Sequence, residues 1–142
     1  MTAATFVAEL DTTLGTALLA EHRSYLKAVR PLLDAGLVKG MAHVTGGGIT
    51  ENLPRVLPVG CAADVDVASW DLPAIFRLIR SRGRIATDEM FRAFNMGVGM
   101  VLVSSHEHAP RVRAMLEQQG ENAIALGRVV DGDRVVRYLG WS

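Results

Sequence analysis

The chain of 142 residues has a single cysteine, no excess charge of either sign and no long apolar run. Each shortage excludes something. One cysteine, Cys61, cannot close an internal disulfide, which fits a reducing cytosol. It opens an apolar, strand-like stretch and reads as a small buried hydrophobe rather than a nucleophile. Fifteen acidic side chains balance fifteen basic ones, so no basic footprint points to nucleic acid. No lysine- or arginine-rich run suggests a membrane surface. The longest apolar stretch, residues 96–103 with its glycines, is far too short to span a bilayer. Residues 1–11 carry no positive charge before their apolar positions and no long apolar core, unlike a signal peptide. The balance of absences points to a cytoplasmic, globular domain, and the length suffices for one domain with a real core.

What is present alternates between helical and strand periods, without repeats or low-complexity blocks. Leu18, Leu19, Leu26, Val29, Leu32 and Leu33 recur near a 3.6-residue period, predicting one helix over residues 14–35, kinked or divided at Pro31 and ended by Gly36. Residues 40–45 read as a buried strand, and residues 49–57 as a short helix stopped by Pro58. Residues 61–68 alternate as a strand, placing Asp64 and Asp66 on a solvated face. Helices follow over residues 72–81 and 87–94. Residues 97–104 form a strand whose unbroken apolar run predicts cover on both faces. Residues 110–119 are helical. Residues 123–130 and 134–139 predict a hairpin around Asp131-Gly132. This order indicates an α/β fold, an α+β sandwich with a mixed β-sheet covered by helices. Residues 1–13 read as a lead-in and residues 14–142 as the domain.

The most informative segment is residues 41–58. A strand ending in His43-Val44-Thr45 runs into three consecutive glycines, Gly46, Gly47 and Gly48, followed by Glu51, Asn52 and Arg55. Without Cβ atoms, such a loop lets backbone N–H groups converge on an anion, and a helix starting near Ile49 adds its own N-terminal donors.

These residues resemble the signature of phosphoribosylformylglycinamidine cyclo-ligase, the aminoimidazole ribonucleotide (AIR) synthetase family. The match is carried by residues 43–48, by Glu51-Asn52 and by Pro54-Arg55-Val56-Leu57-Pro58. A second match is the segment 89–100, with Arg92, Phe94-Asn95 and Gly97-Val98-Gly99-Met100. Leu18-Leu19 with Arg23-Ser24-Tyr25-Leu26-Lys27 is a weaker third, and Gly120-Glu121-Asn122-Ala123 agrees as well. The motifs follow the family's order and spacing from about Leu14 to about Val136. Two departures stand out. Ala93 replaces the family's usual Thr, and Glu21-His22 replaces its usual Pro-Thr.

The resemblance covers only the family's C-terminal half. It implies the substrate-side wall of an enzyme that closes an imidazole ring at the expense of ATP, converting formylglycinamidine ribonucleotide to aminoimidazole ribonucleotide in purine biosynthesis. ATP and Mg²⁺ would be held mainly by the N-terminal half, with none expected on this chain alone. That half, the nucleotide substrate and a homodimer of the full enzyme are the implied partners. Related ATP-dependent synthetases share the plan, namely selenophosphate synthetase, the hydrogenase-maturation dehydratase and glutamine-dependent formylglycinamidine ribonucleotide synthetase. A non-catalytic phosphate-binding or dimer-forming module is the remaining reading, because no complete acid–base–nucleophile set appears.

Among individual residues, His43 is the candidate for proton transfer. A lone histidine on an apolar strand is usually structural, and the resemblance reverses that reading. Thr45, Gly46, Gly47 and Gly48 are candidate phosphate contacts, and Glu51 and Asn52 candidate substrate contacts. Glu51 also complements a helix dipole, and Arg55 is either a phosphate clamp or a surface ion-pair member. Arg92 and Asn95 share a helical face and suit a phosphate, or alternatively a charged helix end with its cap. His106-Glu107-His108 lacks the spacing of a helical zinc motif and reads as a loop, so no metal ligands are assigned.

Overall fold

A computed structural model describes residues 1–140. Strands β1 (Phe6–Val7) and β2 (Thr12–Thr13) pair antiparallel. Thr13 then caps helix α1 (Leu14–Leu18), its hydroxyl accepting from the Thr16 N–H at 3.2 Å, as N-cap threonines do. The expected single helix over residues 14–35 is instead two. The chain is irregular between α1 and α2 (Leu26–Asp34), and Pro31 sits inside α2. Pro31 forfeits one helical hydrogen bond, which the burial of Ala28, Val29 and Leu32 sustains. The true break, at residues 19–25, is where His22, Arg23 and Tyr25 reach other parts of the molecule. Gly36, at φ 65°, ends α2. The Leu37 N–H bonds the Leu32 carbonyl and the Gly36 N–H bonds that of Leu33, a Schellman closure.

Strand β3 (Gly40–His43) pairs antiparallel with β5 (Met100–Val103), matching Gly40 to Val103 and His43 to Met100. One face of this ladder places Ala42 and Val101 in a core with Val44, Ile49, Leu53, Leu57, Ala63, Val65 and Val98. On the other, Leu102 packs against Leu32, Leu37 and Val112, the last from helix α6 (Ala109–Gln118). Both faces of β5 are covered, as its apolar run predicts, although the regular strand is shorter than residues 97–104. Helix α3 (Gly48–Asn52) tightens into a 3-10 turn at Leu53–Val56, where Pro54 cannot donate the next helical bond.

The predicted C-terminal hairpin is corrected by the structure. Strand β4 (Cys61–Asp66) lies between β6 (Gly127–Asp131), antiparallel to it, and β7 (Val136–Leu139), parallel to it. The connection wraps the start of β4, the Gly132 and Arg134 N–H groups donating to the carbonyls of Gly60 and Cys61 at 3.0 and 2.7 Å. Arg134, not Gly132, adopts the left-handed conformation there. Gly132 is required by proximity, since a Cβ would lie 2.6 Å from that of Ala62. Burial of Ala62, Ala63 and Val65 makes β4 a central strand, and a central strand needs two neighbours to pair its backbone.

Asp64 is a second correction. Its register sets Arg128 on one side and Arg137 on the other. The carboxylate, buried rather than solvated, accepts from Arg137 Nε at 2.7 Å with Arg128 Nε at 3.7 Å. Asp66 is exposed and accepts from the Ala68 N–H. Helices α4 (Ala74–Gly83) and α5 (Thr87–Ala93) complete the fold around Met90, Phe91 and Met96, with Trp70, Phe76 and Tyr138 packed on them.

Candidate functional site

The glycine loop is fixed from two sides. A Cβ on Gly48, which adopts φ 57°, would overlap the Phe91 carbonyl oxygen and lie 2.7 Å from that of Phe94. Glycine here lets α3 seat directly on the C-terminal end of α5, bringing the 46–48 loop beside residues 91–95. From inside, the buried Asn52 amide donates to the carbonyls of Gly46 at 3.1 Å and Gly48 at 2.8 Å. Asn52 therefore braces the loop. Glu51 flanks it, the carboxylate lying where a Gly47 Cβ would point. Thr45 and Gly46 are exposed, and the N–H groups of Gly46 and Gly47 meet no acceptor among the described residues. Two unpaired backbone donors beside an open threonine suit an anion.

Asn95 turns the chain from α5 into β5. Its Oδ1 accepts from the Gly97 N–H at 3.0 Å and its carbonyl from the Val98 N–H at 2.9 Å, an Asx turn. Met96 and Gly97 are both left-handed, at φ 51° and 96°. Arg92, in the last turn of α5, is exposed with no ion-pair partner among the described residues, leaving its guanidinium available. Arg55 is likewise exposed and unpaired, on the 3-10 turn after α3.

His43 stands at the exposed end of β3. Its Nε2 lies 2.9 Å from His22 Nε2, and the rings meet edge to face at 5.0 Å between centroids. Tyr25 approaches the same imidazole at 6.3 Å and 67°, with its hydroxyl seated where a Gly99 side chain would be. Arg23 pairs with Glu121 at 2.8 Å. His22, Arg23, Tyr25 and His43 border an open groove of about 370 Å³, lined further by Leu26, Val29, Arg30, Leu33, Met41 and Met100. His22, Tyr25, Gly99 and Glu121 carry no role in the sequence reading, though all but His22 lie in segments that carried the resemblance. Only contacts across the fold reveal them. Among the described residues no three His, Cys, Asp or Glu side chains converge as a metal site, His106-Glu107-His108 included.

All four resembling segments therefore meet in space, around the ladder end and the glycine loop. The model of the AIR synthase related protein family, C-terminal domain, matches residues 2–140. The chain belongs to this family. Similar proteins named phosphoribosylformylglycinamidine cyclo-ligase include that of Chromobacterium violaceum, 47% identical over 119 residues, covering 84% of this chain and 34% of the relative. That of Bacillus cytotoxicus is 47% identical over 126 residues, covering 89% and 36%. That of Desulfitobacterium hafniense is 43% identical over 131 residues, covering 92% and 39%. The AIR synthase domain thus spans little more than a third of these relatives' length. A similar solved structure is that of E. coli HypE, a hydrogenase maturation protein. The TM-score is 0.63 at 21% identity, covering 90% of this chain and 41% of that one. That likeness shows the fold, an α/β arrangement of helices and small sheets. No helix among the described residues is long and apolar enough to cross a membrane.

Proposed function

We propose that this chain forms the C-terminal, substrate-side half of a phosphoribosylformylglycinamidine cyclo-ligase. The observation that carries the reading is the convergence of the family's motif segments on one surface, through the Arg23–Glu121 pair, Tyr25 on Gly99 and Gly48 on α5. In the reaction, ATP phosphorylates the formyl oxygen of formylglycinamidine ribonucleotide, turning an oxygen that leaves poorly into phosphate. The amidine nitrogen attacks the activated carbon, phosphate departs, and a lost proton leaves the neutral imidazole. ATP and Mg²⁺ are held mainly by the N-terminal half.

This chain's residues then have distinct tasks. The free N–H groups of Gly46 and Gly47, with Thr45 and the unpaired Arg92, hold the ribonucleotide phosphate. Arg55 and Glu51 border the same loop and contact the substrate at its edge. Asn52 and Asn95 act through the backbone, keeping the loop and the α5–β5 turn rigid. His43 moves the proton released on ring closure, the role for which a neutral imidazole is suited. Holding nitrogen beside carbon removes the translational cost of their encounter. The groove side chains Leu26, Leu33 and Met41, exposed at 72%, 44% and 40%, offer an apolar face to the N-terminal half.

The test is turnover by the complete enzyme containing this domain. It should release ADP with formylglycinamidine ribonucleotide, and Arg92→Ala should raise KM for that substrate by roughly tenfold or more, the loss of one charge-assisted contact. A complete enzyme that leaves this substrate untouched while turning over another amide-bearing compound would reject the reading.

A further inference from the structure

We infer that His22 is a positioning residue that holds the His43 imidazole in one orientation, an inference that rests for its catalytic meaning on the function proposed above. The two Nε2 atoms are 2.9 Å apart. In a hydrogen bond of that length one ring carries the Nε2 proton and the other presents a lone pair. Either ring can be the donor, so the contact fixes the direction of the His43 ring, whereas an exposed imidazole with no partner turns freely about its side-chain bonds.

His22 is not delivered by the strand that carries His43. It arrives on the irregular segment between α1 and α2, which is pinned immediately afterwards by the Arg23–Glu121 ion pair and by Tyr25 against Gly99. The Tyr25 ring flanks His43 from a further direction. The two arginines of the groove are engaged elsewhere, Arg23 by Glu121 and Arg30 by Asp34 at 3.0 Å. His22 also stands where the resembling family usually has Thr, so this chain has its own means of orienting His43. Both histidines are exposed, so replacing His22 removes little packing.

The direct test is the orientation of the His43 ring in this chain, read by NMR from the nuclear Overhauser contacts of its ring protons with the Tyr25 ring. In the parent, these contacts should be strong. His22→Thr should weaken them as the ring turns freely. His22→Gln, whose amide extends to the position of Nε2, should restore them. Identical contacts in all three proteins would overturn the inference. In the complete enzyme, His22→Thr should lower kcat by about tenfold, part of the contribution of a positioned acid–base group, with KM little changed and Gln rescuing. A rise in KM with kcat intact would make His22 a substrate contact and overturn its positioning role. Full turnover by His43→Ala, with the ring contacts of the parent still dependent on His22, would instead count against the function proposed for His43.

Discussion

Three glycines in a row turn out to be three different residues. Gly48 has a left-handed φ and the α5 carbonyls directly against it, Gly47 is left-handed beside the flexible Glu51 side chain, and Gly46 has open space. Gly48→Ala should therefore destabilise the domain by roughly 3 kcal/mol or more, combining left-handed strain with a backbone overlap. Gly46→Ala should change stability by less than about 0.5 kcal/mol, as an unconstrained surface position does. Denaturant unfolding of the two variants checks the contrast, and equal losses would mean that the loop is constrained as a block. Asn52→Ala removes two hydrogen bonds to loop carbonyls and should cost about 1–3 kcal/mol, being a buried deletion. Hydrogen exchange across residues 46–48 should accelerate with it.

In the sheet, the decisive unit is a carboxylate held between two neighbouring strands. Asp64 is 9% exposed, and Arg137 donates to it at a shorter distance than the Nε of Arg128 approaches. Arg137→Ala should cost about 2 kcal/mol, because it leaves a buried charge with one distant partner. Arg128→Ala should cost under about 1 kcal/mol, as an exposed pair does. Chemical denaturation distinguishes them, and a reversed order would refute the assignment. Near the end of β7, the Tyr138 hydroxyl lies 2.8 Å from that of Thr50, which also reaches the Phe91 carbonyl. Burial pushes the Tyr138 phenol above its ordinary value of 10.0, and Thr50 pulls partly back because its hydroxyl can turn to donate to the phenolate once that forms. Above about pH 10 the unfolded chain releases this proton before the folded one does. Stability from this source is intact below that pH and falls as pH rises through the raised value. Tyr138→Phe should lack this component of the alkaline decline when unfolding is followed between about pH 9 and 11.

For the whole molecule, the family's catalysis is proposed as shared between halves, so this chain alone should release no ADP from ATP with formylglycinamidine ribonucleotide. Steady turnover by the purified chain, abolished by Arg92→Ala, would overturn that division. Much of the architecture was legible in the residues. The Gly36 stop, the two covered faces of β5 and the strand–glycine–helix order at residues 40–52 follow from local periodicity and backbone preference, which act within a few residues. So did the candidate loop, because glycine runs and family motifs are written along the chain. Other features were not legible. The hairpin reading failed because Asp131-Gly132 is a favourable turn in isolation, whereas β4 supplies the pairing that both flanking strands need. Asp64 looked solvated because alternation reports a face but not whether arginines cover it. The helix break moved from Pro31 to residues 19–25 because the contacts of His22, Arg23 and Tyr25 lie across the fold. The sequence by itself determined the helical or extended character of most segments between residues 26 and 119 and the glycine stop at Gly36, since those are short-range steric matters. Only the tertiary structure decided that His22 reaches His43, that Asn52 turns inward and that Arg92 stays free, because each depends on side chains brought together from distant parts of the chain.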